Sequence, residues 1–350
     1  MVLSNRGYVV TMNINYTKNL RDVLNGKKTD IAPVVTVTQS GILDAMERTG
    51  TSWPQAHENP EQMATLGASL YELARLEDAK IPFCLAVEAE SMGCEVDLGY
   101  GGRTPEVVKS PFEKPEDIEI PDNFETSGRI PVICEAVEIL HERYDNLPVC
   151  VGITGPFTVA GHLIGVEDIL KMINLDLFAV EDAIEIAAEA VSAYIKQLNE
   201  VKPEVICVAD PTSSGDLLSP LDFAQLSVPA LEDIQEVMKS QNVLHICGHT
   251  AGILKDMLSC GYNGISIEEA VDMRYAQKVK HELGDKTQVC GNISTSKTLF
   301  RGTPEEVRGE VLEALEKGVD VVAPSCGIAA SSPLENIQAM VNARNEFFGI

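Results

Sequence analysis

Positive charge is what this chain lacks. Its 350 residues carry 27 Lys and Arg against 53 Asp and Glu, a formal net charge of −26. That balance excludes nucleic acid as a partner, since its phosphates would be repelled. An anionic substrate would need positive charge placed locally. Most of the acidity is solvated surface and serves solubility. Long apolar runs are missing too. The most apolar helical stretch, Leu177 to Leu198, is broken by Glu181, Asp182, Glu185, Glu189 and Lys196, so no segment reads as a membrane span. The N-terminus has no charged-then-apolar export pattern, which gives the expectation of a cytoplasmic protein. The nine cysteines are then expected as thiols, and Cys84, Cys150, Cys207 and Cys290, inside apolar runs, read as core.

No repeat at a fixed period and no dividing linker is found, so residues 1–350 read as one domain. What recurs is a unit, a short β-branched apolar run followed by a helical segment. The strand candidates are Ile31–Thr36, Ile81–Val87, Leu147–Ile153, Glu204–Ala209, Asn242–Cys247, Asn263–Ile267, Thr287–Gly291 and Asp320–Ala323. Such runs, separated by helices, are the pattern of parallel strands covered on the outside. Thr303-Pro304-Glu305-Glu306 predicts a capped helix start, and Gly318 its stop. No Gly-rich phosphate turn follows the first strand, which disfavours a doubly wound open sheet. The predicted fold is an α/β TIM (β/α)8 barrel. Residues 1–30 form an N-terminal helical extension, and Gly99–Ser127 a long surface excursion.

In such a barrel the chemistry lies at the C-terminal strand ends. Those ends supply Thr36–Gln39, Glu88, Glu90, Asp210, His245, Cys247, Glu268, Glu269, Asn292 and Cys326. Side chains alternate along a strand, so His245 and Cys247 point to one face. Zinc prefers tetrahedral nitrogen and sulfur ligands, and a catalytic site takes three while leaving one place open. Cys326, at the end of the last strand, is the expected third ligand. His249 competes, but it falls in the loop after Gly248 and reads as a helix-start residue. Cys260 reads as packing at a helix C-terminus. Glu268 is the candidate for the fourth place in the absence of substrate, Glu269 the fallback, and helix capping the alternative for either. Glu88, Glu90, Asp210 and Asn292 are expected either to bind an organic cofactor or to orient the metal ligands. Lys297, Arg301 and Arg274 lie near strand ends, within reach of a substrate's anionic group, but each reads rather as a solvated surface charge.

Around these residues the sequence resembles the uroporphyrinogen decarboxylase superfamily, and within it the zinc-dependent methylcobamide:coenzyme M methyltransferases of methanogens. The shared segments are "VEAESMGCEVDLG" at Val87–Gly99 and "GITGPFTVAGHLIG" at Gly152–Gly165; "HICGHT" and "APSCGI" resemble the methyltransferase branch's zinc ligands. The resemblance runs from about Leu20 to Phe348. It implies a TIM barrel, bound Zn2+ at His245, Cys247 and Cys326, and methyl transfer from a corrinoid to a thiol. It also implies a corrinoid protein carrying methylcobamide as partner, coenzyme M as acceptor, and a place in methanogenesis. The alternative is metal-free porphyrinogen decarboxylation. Decarboxylases of the superfamily carry arginines in the loop after the first strand, whereas here it reads Thr38-Gln39-Ser40-Gly41-Ile42-Leu43. A polyanionic substrate is poorly served by such a mouth.

Overall fold

Seven of the apolar runs become strands. They are β1 (Ala79–Ile81), β2 (Val149–Thr154), β3 (Val205–Ala209), β4 (Gln241–His245), β5 (Gly264–Ser266), β6 (Gln288–Ile293) and β7 (Val321–Pro324). The computed structural model describes the chain from Ile14 to Ile350, together with the backbone of two short paired strands, Val2–Leu3 and Val9–Val10. The strands hydrogen-bond in chain order from β1 to β7, every neighbouring pair parallel. Helices follow the strands along the chain, giving an α/β fold around a curled sheet.

The helices are placed by their own chemistry. Leu177–Val201 starts where the Asp176 carboxylate accepts from the Ala179 N–H, and ends at Lys202 in the left-handed region. Val180, Ala183, Ile184, Ala187, Val191, Tyr194 and Leu198 form its buried stripe, at helical spacing. Pro304–Glu316 opens on the expected capping box, Thr303 with Glu306. The excursion after Gly99 contains the strand Glu106–Lys109, which pairs with Glu95–Asp97; Arg103 bridges Asp97 and Glu106 at 2.7 and 3.0 Å.

The run Ile31–Thr36 departs from expectation, since only Val34 forms a bridge, to Val322 of β7. Backbone bonds hold this side, with Val35 N–H donating to Val322 O and Val322 N–H to Pro33 O. On the other side carboxylates intervene. Glu77 accepts from Val34 N–H at 3.0 Å, and Asp78 from Thr36 N–H at 3.1 Å. Pro33 has no N–H to give, and the side chains take donors that a ladder would use. Glu77 is itself buried against Arg344. The helical lead expected over residues 1–30 lies partly outside the described residues; within them, a helix spans Tyr16–Leu24.

Candidate metal centre

Residue alternation and strand register bring the site together. His245 ends β4 and pairs with Ser266, which ends β5. Ser266 Oγ lies 3.1 Å from His245 Nδ1, which turns Nε2 towards Cys247 Sγ at 3.2 Å. Cys247 lies just past the strand, where Ser214 Oγ donates to its carbonyl at 2.8 Å. Gly248 lets the chain turn there. Its φ is +77°, and a Cβ would stand 2.0 Å from Asp216 Oδ2. Asp216 also accepts from His249 N–H and meets its ring, so His249 faces away into solvent.

Cys326 enters from the end of β7, its Sγ 3.5 Å from that of Cys247. Glu268 enters from the end of β5. One ligand atom each from His245, Cys247, Glu268 and Cys326 can be chosen so that all lie within 4.8 Å of one another. In a tetrahedral zinc site with bonds of about 2.0–2.3 Å, ligand atoms stand roughly 3.3–3.8 Å apart. The donor set is therefore close to the size and of the kind that zinc takes, and the residues fit the ion. Glu269 turns instead to Ser294 Oγ, at 2.6 Å.

The electrostatics point the same way. The Cys247 thiol bonded to Cys326 Sγ holds the Cys326 thiol well below its ordinary value, burial opposing and His245 assisting. Cys247 rises correspondingly, through that same bond and through burial. Glu268 is raised by burial and by the Cys326 charge. Three acids crowded into one pocket resist joint ionisation, and a cation relieves all three.

Of the groups expected to bind a corrinoid or to orient the metal ligands, only the Asn292 side chain meets the loop that carries a ligand, and the other three side chains are engaged elsewhere. Asp210 is fully buried and accepts from Thr158 N–H, Thr158 Oγ1 and Ser213 Oγ, so it has no reach to a ligand. Glu88 is likewise consumed by Thr154, through its N–H at 2.7 Å and its Oγ1 at 2.6 Å. Asn292 donates to the carbonyls of Glu268 and Val271, bracing the loop that carries Glu268. Glu90 takes, at 2.7 Å, the Arg129 guanidinium, whose Nη1 also donates to Cys84 Sγ at 3.0 Å. Cys260 caps its helix and donates to Asp256 O.

Sequence reasoning missed Ser266 and Lys80. The cavity of about 40 Å³ beneath the cluster is lined by Gln39, Lys80, Gly152, Cys207, His245, Cys247 and Cys326, among others. Among the described residues no helix is long and apolar enough to cross a membrane.

Residues 15–347 match the family model described as Uroporphyrinogen decarboxylase (URO-D). The chain is 42% identical over 329 residues to a Methanosarcina barkeri protein named methylcobamide:CoM methyltransferase MtaA, covering 93% of this chain and 96% of that one. It is 32% identical to the methylated-thiol–coenzyme M methyltransferase of Methanosarcina mazei, over 93% of this chain and 88% of that one. A solved structure of a methyltransferase from Methanosarcina mazei superposes with a TM-score of 0.91 at 40% identity, covering 95% of this chain and 99% of that one. The chain belongs to the uroporphyrinogen decarboxylase family, and within it stands with the methylcobamide:CoM methyltransferases.

Proposed function

We propose that the protein is a zinc-dependent methyltransferase, moving a methyl group from protein-bound methylcobamide to the thiol of coenzyme M in methanogenesis from methylated compounds. The observation that carries the reading is the His245, Cys247, Cys326 and Glu268 cluster in a chain 42% identical to a protein of that name. We read the curled sheet as a closed (β/α)8 barrel, one domain, with Pro33–Val35 as the eighth staple between β7 and β1. Its C-terminal strand ends then form the mouth.

His245, Cys247 and Cys326 would hold the ion, with Glu268 in the place that the acceptor thiol takes over. Zinc supplies one thing when bound, an acceptor thiol in its thiolate form at neutral pH. The chain's own residues do the rest. Ser266 fixes the imidazole so that Nε2 faces the sulfurs. Asn292 holds the Glu268 loop against β6. The two cysteine sulfurs and one imidazole suit thiol chemistry better than hydrolysis, which is served by His and carboxylate sets that leave the metal more positive. Metal-free decarboxylation has no comparable support, because the loop Thr38–Leu43 carries no arginine. The corrinoid would arrive on a cytoplasmic carrier protein.

The test supplies methylcobalamin and coenzyme M to the purified, zinc-loaded protein and follows cob(I)alamin and the thioether product. Decarboxylation of uroporphyrinogen without thiol methylation would overturn the reading.

A further inference from the structure

One buried cation has no role in the account above. Lys80, in the middle of β1, is 2% exposed, and among the described residues no oxygen or nitrogen accepts from its Nζ; the neighbouring Cys207 thiol is only a weak acceptor. A buried polar group without a partner is costly, and an ammonium more so. The nearby acids do not complete it. Asp78, just ahead of the strand and acting on Lys80 through charge, spends both oxygens on Thr36.

Its position is defined by register. A Cβ on Gly152 would stand 3.0 Å from Lys80 Nζ, so the ammonium lies beside Gly152 of β2. Gly152 pairs with Cys207, and Ala209, two residues further along β3, pairs with His245. The ammonium therefore sits level with Gly152, two residues short of the His245 level along the strands, and it lines the same cavity as His245, Cys247 and Cys326. A small molecule in that cavity meets the soft ligands His245, Cys247 and Cys326 and one cation. The other basic side chains do not compete. Arg129 keeps its Nη2 without a partner, but it is paired with Glu90, donates to Cys84 Sγ and is not among the residues that line the cavity. Lys297, Arg301 and Arg274 are exposed.

We propose that Lys80 is the anion-binding group of the acceptor site, holding the sulfonate of coenzyme M while its thiol lies at His245, Cys247 and Cys326. The assignment rests on the methyl-transfer reading and narrows it. A compact acceptor with its anion two carbons from its thiol can span one small cavity, and on an acidic chain Lys80, the one buried lysine among the described residues, supplies the local positive charge that an anionic acceptor requires. Gly152 leaves the space in which the anion meets Nζ.

The experiment compares wild type with Lys80→Met, both zinc-loaded, using coenzyme M and the uncharged 2-mercaptoethanol as acceptors. Calorimetry measures binding of each thiol, and methylcobalamin assays give kcat and KM. Lys80→Met should weaken coenzyme M binding and raise its KM roughly 10- to 100-fold, with kcat at saturation and all constants for 2-mercaptoethanol little changed. Should Lys80→Met not fold, Gly152→Ala keeps the lysine but crowds Nζ, and should show the same selective loss. Coenzyme M binding at wild-type strength in the variants, or equal losses for both thiols, overturns the Lys80 assignment alone. A wild type that binds coenzyme M but methylates neither thiol overturns the methyl-transfer reading instead, and calorimetry still reports whether Lys80 holds the anion.

Discussion

His57 offers a measurable consequence of burial without hydrogen bonding. It lies on the turn Gln55–Glu58, stacked on Trp53 with centroids 5.7 Å apart and edge-on to Phe83 at 5.8 Å. It is fully buried, and neither ring nitrogen has a partner among the described residues. Burial, helped by the Arg129 charge, pushes it down from 6.5 to about 3. The unfolded chain therefore takes up a proton below pH 6.5 that the folded ring refuses until about 3. The stability of the neutral ring is complete above 6.5 and is lost as pH falls through that window. Between about pH 7 and pH 5 the loss is roughly 2 kcal/mol. His162, pushed down to about 4 by burial, loses nearly as much over the same interval. His57→Leu removes one of the two contributions with little change of volume, and discards two unpartnered nitrogens. Urea denaturation at both pH values should show the wild type losing about 2 kcal/mol more than the variant, with similar m-values. An equal loss in the two proteins would show that the folded ring accepts a proton freely, and the burial argument would fail.

Three further outcomes follow from the site and the sheet. Cys247→Ser and Cys326→Ser should each lose the bound zinc, about one per chain, while Cys260→Ser keeps it; metal analysis decides, and full retention in Cys326→Ser removes that ligand. Ser266→Ala frees His245 Nδ1 and should weaken zinc binding roughly 10- to 100-fold in chelator competition, so an unchanged affinity would show that the hydroxyl does not orient the ring. Glu77→Ala leaves Arg344 buried without its carboxylate and should cost about 3–5 kcal/mol in chemical denaturation, whereas a cost within about 1 kcal/mol would mean the pair is dispensable.

The sequence made the repeating strand-then-helix order visible because fully buried parallel strands are apolar on both faces. It also showed the spacing of His245 and Cys247, since alternation is a local property. Contacts made by distant side chains were hidden. Nothing in Ile31–Thr36 reveals that Glu77 and Asp78 will take its N–H groups, so it read as an ordinary strand. Reading the next strand as starting at Ile81 rather than Ala79 left Lys80 outside the sheet and so outside the pocket. A lysine flanked by Ala79 and Ile81, in a run as apolar as Ile81–Leu85, was the available signal. Asp210 looked like a ligand because it stands at a strand end. Its hydroxyl donor Thr158 is 52 residues away in sequence, and only folding shows that its oxygens are taken.

The ligands of the metal cluster come from β4, β5 and β7, all in the second half of the chain, whereas Gln39, Lys80 and Gly152 come from the first. On the proposed assignment, the reactive ligands and the acceptor-holding groups lie in separate halves of the chain, so substitutions in the first strands can change the acceptor without touching the metal ligands in the last ones. An engineer can do the same by splicing, exchanging the segment through β2 between family members to transplant acceptor preference onto an untouched reactive centre.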